Sequence, residues 1–375
     1  MSNQPLTSSA DTVRFSNRNQ ADFTKTLRKR VDSYFKERNL SRQANTSMKL
    51  KTVVLLSFYI VPFALLFVLT GSFWLCFGLW TIMGIAKAGI GMAVMHDANH
   101  GAYSKNQRVN SFIGHTLNLL GGTVINWKYQ HNILHHTYTN IAGKDNDIDG
   151  AGTLRFHPHG EAAKHHKHQW FYAFFLYGVL TLFWAVAKDF IQYYRYRELR
   201  KPTATPASER SLLVRMVLLK IVYFIIFIGL PIAFTSFSWW MIVIGFVTMH
   251  AIAGLVLSLI FQMAHVIEET EFPLPDATGN MEDSFLAHQL KTTANFATDK
   301  KWLTWYSGGL NHQVEHHLFP NICHVHYPAL APIVRETAHE FGLPYNEMPT
   351  FGKALKSHIA MLKKFGIPPL SEIGA

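Results

Sequence analysis

The sequence is poor in cysteine and in charged residues. Its 375 residues include two cysteines, Cys76 and Cys323, and no CxxC pair, which argues against a thiolate zinc site or an iron–sulfur cluster. Charged residues make up 16% of the chain, whereas about 25% is usual in soluble proteins. Residues 1–50 contain no apolar run and therefore do not have the pattern of a secretory signal peptide.

The low charge reflects four long apolar runs, each close to the roughly 20 residues that a helix needs to span a bilayer. The runs are 52–70, 73–95, 212–235 and 238–264. Short joints at 71–72 and 236–237 separate the members of each pair, so we predict two transmembrane hairpins. Lys87 and Lys220 interrupt the runs, and we expect their side chains to extend toward the interface. For Lys87, nine residues before His96, the alternative is that it lines a cavity.

Two weaker apolar stretches, 112–125 and 170–187, are predicted to lie in the interface or to pack on the domain. His96 directly follows the second run, and His265 directly follows the fourth. If the histidine clusters cooperate, they share one side of the membrane, and an extra span would separate them. The predicted fold is therefore an all-α integral membrane protein with four transmembrane helices, arranged as two hairpins, and a helical cap.

Basic residues predict that this cap is cytosolic. Segment 188–215 is rich in Lys and Arg, which favours the cytosolic side, while the joints within the hairpins carry no charge. We predict a cytosolic N-terminal extension at 1–50, a membrane domain at 51–345 and a cytosolic tail at 346–375. The net charge of +11 has two interpretations. It reflects the basic bias of a multi-pass protein, or attraction to anionic head groups or a phosphate-bearing substrate.

Histidines occur in groups with helical spacing. His96 and His100 are four residues apart, so their side chains share a helix face. The other groups are His131, His135 and His136; His265; and Gln313, His316 and His317. A lone histidine is usually a satisfied surface or core residue, but four groups on one side of a membrane indicate metal binding. Eight imidazoles exceed the needs of one ion, so we predict two metal ions.

Two other patterns carry less weight. Asp145, Asp147 and Asp149 open like an EF-hand loop, but its twelfth position is Phe156 rather than Glu. These acids either orient ligand histidines or form a solvated loop, and the sequence leaves both interpretations open. The HExxH motif of zinc proteases is absent.

The strings "HDANH", "HNILHH" and "HQVEHH" resemble the three histidine boxes of the membrane fatty acid desaturases. The glutamine that opens the third box resembles the front-end (delta-5/delta-6-like, linoleoyl-CoA desaturase-like) subgroup. The resemblance implies a non-haem diiron centre. The ligands that it implies are His96, His100, His131, His135, His136, His265, His316 and His317, with Gln313 as a ligand or a neighbour of one.

One position departs from the subgroup pattern. Residue 312 is usually aromatic there, whereas this chain has His312. His312 with His316 and His317 reproduces the HxxxHH spacing of the second box. Spacing alone leaves His312 and Gln313 as alternatives, and the resemblance favours Gln313.

The resemblance implies an O2-dependent desaturase that forms a cis double bond on the carboxyl side of an existing one, in an acyl-CoA or acyl-lipid substrate. The HPGG haem motif of a fused cytochrome b5 domain is absent, so a separate ferredoxin or cytochrome b5 is the expected electron donor. A diiron lipid hydroxylase, or a desaturase of other regioselectivity, would share the boxes. A metal transporter would place histidines and acids inside the spans. Membrane lipids are expected partners and nucleic acids are not.

Overall fold

Helices dominate the computed structural model, which describes residues 13–16, 19–202 and 205–367. The α-helices of the first half are α1 (Ala21–Glu37), α2 (Thr46–Val68), α3 (Phe73–Gly89), α4 (Met95–Asn99), α5 (Gln107–Gly114), α6 (Val124–Trp127), α7 (His136–Tyr138), α8 (Gln169–Phe183), α9 (Asp189–Arg195) and α10 (Arg197–Arg200). Those of the second half are α11 (Pro206–Phe224), α12 (Leu230–Phe234), α13 (Trp239–His265), α14 (Phe285–Thr292), α15 (Lys301–Tyr306), α16 (Gln313–Leu318), α17 (Tyr327–Glu340) and α18 (Phe351–Phe365).

Shorter elements join these helices. Single π-helical segments continue α3 into α4, α6 into α7, α8 into α9 and α11 into α12; they are Ile90–Val94, Lys128–His135, Trp184–Lys188 and Ile225–Gly229. The 3-10 turns are His115–Leu120, Lys164–His168 and His324–His326. Two short strands, β1 (Asn295–Phe296) and β2 (Glu347–Met348), pair in parallel, with Asn295 opposite Glu347.

Five helical segments of the described ranges are long and apolar enough to cross a membrane. They are Thr46–Val68, Phe73–Asn99, Lys164–Arg195, Pro206–Phe234 and Trp239–His265. Four of them coincide with the predicted runs, with ends that extend into the adjoining polar residues. The protein is therefore a mostly helical membrane protein, because exposed apolar helices of this length have no stable place in water.

The fifth segment, Lys164–Arg195, contains the stretch 170–187 that was predicted to lie in the interface or to pack on the domain. It packs along α13, where Gly254 meets the carbonyl oxygens of Tyr177 and Gly178. Its two ends contact one loop: the Gln169 amide donates to the Arg155 carbonyl at 2.9 Å, and Arg195 pairs with Asp149 at 3.2 Å.

The other weak stretch, 112–125, does not form one helix. It breaks into the 3-10 turn His115–Leu120 and α6, with Gly121 between them in the left-handed region at φ 88°. The Tyr59 hydroxyl of α2 donates to the Leu119 carbonyl at 3.0 Å, so the stretch packs against the bundle. None of the five candidate spans includes it.

Polar side chains inside the bundle are paired with one another. The ammonium group of Lys87 donates to the Tyr223 hydroxyl at 2.8 Å and lies beside the ring of His250. Lys220 pairs with Asp189 at 2.6 Å. The prediction that these two lysines extend toward the interface is wrong, because each is buried beside a partner that compensates for its lost hydration.

The first and the last helix, α1 and α18, are both packed into the fold. The buried face of α1, including Phe23 and Val31, joins a cluster with Leu330 and Val334 of α17. Likewise α18 is buried along one face, and Met361 joins a cluster with α8 and α13 residues. The segments predicted as an extension at 1–50 and a tail at 346–375 are therefore built into the fold wherever they are described; residues 1–12, 17–18 and 368–375 lie outside the described ranges.

Gly254 is the position where α8 and α13 approach most closely, and we predict that Gly254→Ala destabilises the protein. A β-carbon there would lie 2.5 Å from the carbonyl oxygen of Tyr177, a backbone atom that cannot turn aside. Overpacking of this kind costs about 1–3 kcal/mol. The measurement is the midpoint of thermal unfolding in detergent.

The matched control is Gly78→Ala on α3, where an added β-carbon meets no atom within 4 Å. That variant should unfold at the wild-type temperature or slightly above it, because alanine favours helix. Equal midpoints for the two variants would contradict the close α8–α13 packing.

Candidate metal centre

The first motif lies on α4, which continues α3 through a π-helical segment. Its histidine rings, those of His96 and His100, have centroids 4.7 Å apart. Both residues follow the apolar run directly, so the long apolar helix also positions the two imidazoles in the site. The spacing of four residues accounts for their common direction.

The second motif shows why a π-helical segment matters. In an α-helix, residues five apart point in different directions, but the wider π-turn brings i and i+5 together. Accordingly, the Nε2 atoms of His131 and His136 are 3.3 Å apart. His131 also faces the first motif, with its Nε2 atom 3.1 Å from that of His96.

The third motif, on α16, approaches the first closely because of a glycine. Gly308 has φ 62°, and a β-carbon there would lie 2.5 Å from the Met92 carbonyl oxygen. The chain can therefore turn back against α3 and present His316 and His317 to the other motifs. His265, the last residue of α13, completes the set.

The eight predicted histidines come together in two groups and a bridge. One group holds His96, His100, His131 and His316, and the other holds His135, His265 and His317. His136 reaches His316 and His317 and so lies between the groups. Within each group the candidate ligand atoms all lie within 4.8 Å of one another. Two adjacent sets of imidazoles match a pair of metal ions rather than one.

Gln313 and His312 occupy different environments. The Gln313 amide nitrogen lies 2.8 Å from Nε2 of His265, and its carbonyl oxygen has no hydrogen-bond partner. The His312 ring belongs to neither histidine group, and its Nδ1 atom lies 3.6 Å from Glu315. Glu315 is itself held by Asn295 and Tyr345. The Gln313 side chain thus lies against His265, while both ring nitrogens of His312 are buried and also lack a hydrogen-bond partner.

Several ligand candidates are oriented by a partner on the ring nitrogen that faces away from the centre. His135 Nδ1 lies 3.0 Å from Asp145, and His317 Nδ1 lies 2.8 Å from the Gln289 carbonyl oxygen. His316 Nδ1 lies 3.2 Å from the Tyr327 hydroxyl. Such partners fix the ring orientation of metal-binding histidines. Of the two interpretations of the acidic loop, the structure therefore supports orientation of a histidine by Asp145.

Gln289 and Tyr327 have no sequence signal that marks them. They lie on α14 and α17, in segments without a recognisable motif, and only tertiary packing brings them to the histidines.

Asp97 and His324 form a further pair at 2.8 Å, with Lys51 on the other ring nitrogen of His324. Because these polar atoms already have partners, the nearby group of Asp97, Cys323 and His324 is not a comparable metal site.

Buried nitrogen and oxygen atoms without partners test whether the site fits metal ions. An unpaired buried polar atom costs about 1–3 kcal/mol. Unpaired atoms of the candidate ligands are His100 Nε2, His135 Nε2, His136 Nδ1, His316 Nε2, His317 Nε2 and Gln313 Oε1, and both ring nitrogens of the alternative His312 are unpaired as well. So many costly atoms in one place are explained if metal ions accept their lone pairs.

Protonation states agree with this fit. Burial and the neighbouring histidines lower the pKa values well below the usual range for His100, His131, His136, His316 and His317. These rings are therefore neutral near pH 7 and keep a lone pair for a ligand bond. Burial also opposes the charged form of His135, but Asp145 raises its pKa overall.

A cavity of about 540 Å³ lies beside the histidines. His96, His131 and Gln313 form one part of its wall. Apolar side chains of the bundle, including Leu180 and Leu257, form another part. The remaining wall is polar and contains Gln130, Gln192 and Arg195. A long apolar molecule with one polar end therefore fits the cavity, with part of its chain against the histidines.

Comparison with known proteins gives matches along most of the chain. A model of the family described as "Fatty acid desaturase" matches residues 72–349. A protein of Synechocystis sp. named "sn-1 linoleoyl-lipid 6-desaturase" is 38% identical over 348 residues, which cover 92% of this chain and 95% of the relative. One of the same name from Arthrospira platensis is 36% identical and covers 92% and 93%. An "Acyl-lipid (8-3)-desaturase" of Physcomitrium patens is 34% identical and covers 95% and 74%.

Replacing Gln313 and His312 separately distinguishes the two alternatives for the site. We predict that Gln313→Leu lowers the bound metal and that His312→Leu does not, because only the Gln313 amide reaches His265. Loss of a ligand or of the group that orients one typically costs about 10–100-fold in affinity. The measurement is metal per purified chain by inductively coupled plasma mass spectrometry, after dialysis against a weak chelator.

Both variants should keep the wild-type elution volume in size-exclusion chromatography, which controls for misfolding. Normal metal in Gln313→Leu together with loss in His312→Leu would overturn the assignment.

Proposed function

The chain belongs to the fatty acid desaturase family, and we propose that it is an O2-dependent acyl-lipid desaturase that forms a cis double bond on the carboxyl side of an existing one. It is a membrane fatty acid desaturase. The observation that carries the proposal is a double group of clustered imidazoles beside an apolar cavity. The relatives named as linoleoyl-lipid 6-desaturases support both the lipid carrier and the position.

The proposed cofactor is a pair of iron ions. The residues that would hold them are His96, His100, His131, His135, His136, His265, His316 and His317, with Gln313 beside His265. Imidazole suits iron as well as zinc and copper, and the family favours iron. When bound, the iron pair supplies the oxidising power to remove hydrogen from unactivated CH2 groups with O2.

The residues of the chain position the substrate and exclude water from the site. The apolar cavity wall excludes water and holds two adjacent CH2 groups of an acyl chain against His96 and His131. Asp145, Gln289 and Tyr327 hold the histidine rings in fixed orientations, so the donor atoms need not reorganise. The polar part of the cavity wall, with Arg195, accommodates the end of the substrate that carries the head group.

The overall stoichiometry requires an electron donor. Removing two hydrogens from the chain supplies two electrons, and reducing O2 to two waters needs four. Two electrons and two protons therefore come from elsewhere. We propose that a separate ferredoxin or cytochrome b5 supplies the electrons.

We further propose that the chain crosses the membrane four times, with the metal centre on the cytosolic side. His96 lies near the end of the apolar segment Phe73–Asn99, and His265 ends α13. Both belong to the same double group of histidines, which supports ends on the same side for these two spans. Both ends of the fifth apolar segment, Lys164–Arg195, contact the loop that holds Asp149 and Arg155. A segment that leaves and returns to one loop packs on the bundle without crossing.

Labelling of single cysteines tests this topology, and the two buried native cysteines are replaced by alanine first. Cysteines placed at Lys167 and Lys201 flank the fifth segment. We predict that both react with a membrane-impermeant maleimide only after the cytosolic face is opened, whereas a cysteine at Gly71 reacts from outside. Labelling at positions 167 and 201 from opposite sides would show that the segment crosses.

Product analysis tests the activity. We predict that a host lacking polyunsaturated lipids, expressing the chain and fed linoleic acid, gains a fatty acid with a new double bond on the carboxyl side, seen by gas chromatography–mass spectrometry. His316→Ala should abolish the product, because it removes one candidate ligand from the first histidine group. The control is His339→Ala, which replaces an exposed histidine of α17.

The outcomes separate the alternatives. A hydroxylated product lost in His316→Ala would identify a lipid hydroxylase, and a double bond elsewhere would correct the regioselectivity. Product that persists in His316→Ala would contradict the proposed site.

A further inference from the structure

Four lysines gather where α18 ends and α8 begins. Lys363 and Lys364 are exposed in the last turn of α18, and Lys164 and Lys167 are exposed in the 3-10 turn before α8. The two elements touch, since the backbone of His166 leaves no room for a β-carbon at Gly366. We name these four residues the lysine corner.

The lysine corner is rigidly built. Arg155 donates to the carbonyl of Phe365 at 2.9 Å, and the Gln169 amide donates to the carbonyl of Leu362 at 2.8 Å. These bonds fix the end of α18 against the start of α8. The two backbone segments that carry the four lysines are therefore held against each other by the fold.

Within the described residues, none of the four lysines of this corner forms a salt bridge. Glu161 is the single acidic residue in the sequence between 150 and 188, and α18 contains none. Four like charges at one place repel each other, so an anion placed among them would be stabilised.

Its position matches the border between water and lipid. Trp170 begins α8, and the ammonium group of Lys363 lies 4.7 Å from the centre of its ring, in cation–π contact. One turn deeper, Phe171 and Phe175 are 74% and 72% exposed on an apolar helix. Aromatic residues at a helix start, followed by exposed phenylalanines, mark the depth of lipid head groups.

The lysine corner also adjoins the cavity. Residues 149–151 and 153–154 line it, and the carbonyl of Gly152 between them accepts a hydrogen bond from His165 of the lysine-bearing turn at 3.0 Å. The Tyr172 hydroxyl donates to the neighbouring Thr153 carbonyl at 2.8 Å. An anion held by the lysines would thus lie next to the loop that forms the cavity wall.

We propose that the lysine corner binds the phosphate-bearing head groups of anionic membrane lipids at the edge of the cavity. Charge and depth favour lipid over a soluble partner, because Trp170 and Phe171 place the lysines at the bilayer surface. Binding itself is independent of catalysis. If the lysine corner binds anionic lipids, their acyl chains enter the cavity preferentially. This consequence rests on the proposed desaturase function.

Lipid binding by the purified full chain in a neutral detergent tests the proposal. The probes are phosphatidylglycerol and phosphatidylcholine with identical saturated chains, and bound lipid is counted by native mass spectrometry. Each lysine near an anionic surface contributes about five-fold in affinity. We therefore expect wild type to prefer phosphatidylglycerol by about ten-fold or more, and K363Q/K364Q to bind the two lipids within about two-fold.

The matched control is K25Q/K29Q, which removes two exposed lysines from α1 at a distance from the lysine corner. It should keep the wild-type preference and the same amount of protein in the main size-exclusion peak. An unchanged preference in K363Q/K364Q, or an equal loss in both variants, would overturn the proposal.

Two further results also decide the matter. Displacement of phosphatidylglycerol by millimolar inorganic phosphate would show a general anion site and overturn lipid-surface binding. In nanodiscs, K363Q/K364Q should desaturate phosphatidylcholine chains normally and phosphatidylglycerol chains more slowly. Activity lost on both lipids would contradict the consequence for substrate choice, while activity absent from wild type would count against the desaturase proposal alone.

Discussion

Eight histidines must present ring nitrogens to the same small volume, and this requirement constrains most of the molecule. Two rings come from the end of one long apolar segment, one from the end of another, and the rest from shorter elements. The ends of these two apolar segments must therefore lie close together. Burial lowers the pKa of most of these rings, and it makes their unpaired nitrogens costly unless metal ions accept them.

Two irregular features of the backbone bring the histidines together. A regular α-helix would not bring His131 and His136 together, and the π-helical segment before His136 does. Gly308 at positive φ lets the third motif lie against α3, where a side chain would collide with a backbone oxygen. Such features cost stability locally and persist because the surrounding packing over-determines them.

The bundle carries a second buried polar system, away from the histidine groups. Lys87, Tyr223 and His250 contact one another, and Lys220 pairs with Asp189. Apolar runs interrupted by lysine suggested side chains that extend toward water. In the structure, neighbouring helices supply the partners, because a paired cation inside the bundle avoids the cost of an isolated charge in lipid. The partners of Lys87 lie more than a hundred residues away from it in the sequence.

The sequence by itself determined the apolar spans, the eight histidines and the family, because spans and ligand motifs are local patterns of a few residues. It left His312 and Gln313 as alternatives, gave no sign of Gln289 or Tyr327, and treated the two ends of the chain as extensions. The tertiary structure adds the partners of these residues. Gln313 lies against His265, His312 lies beside Glu315, and α1 and α18 are built into the fold. The orientation of a side chain and the identity of its partner depend on which distant segments pack together. The periodic pattern within one segment contains no information about that packing.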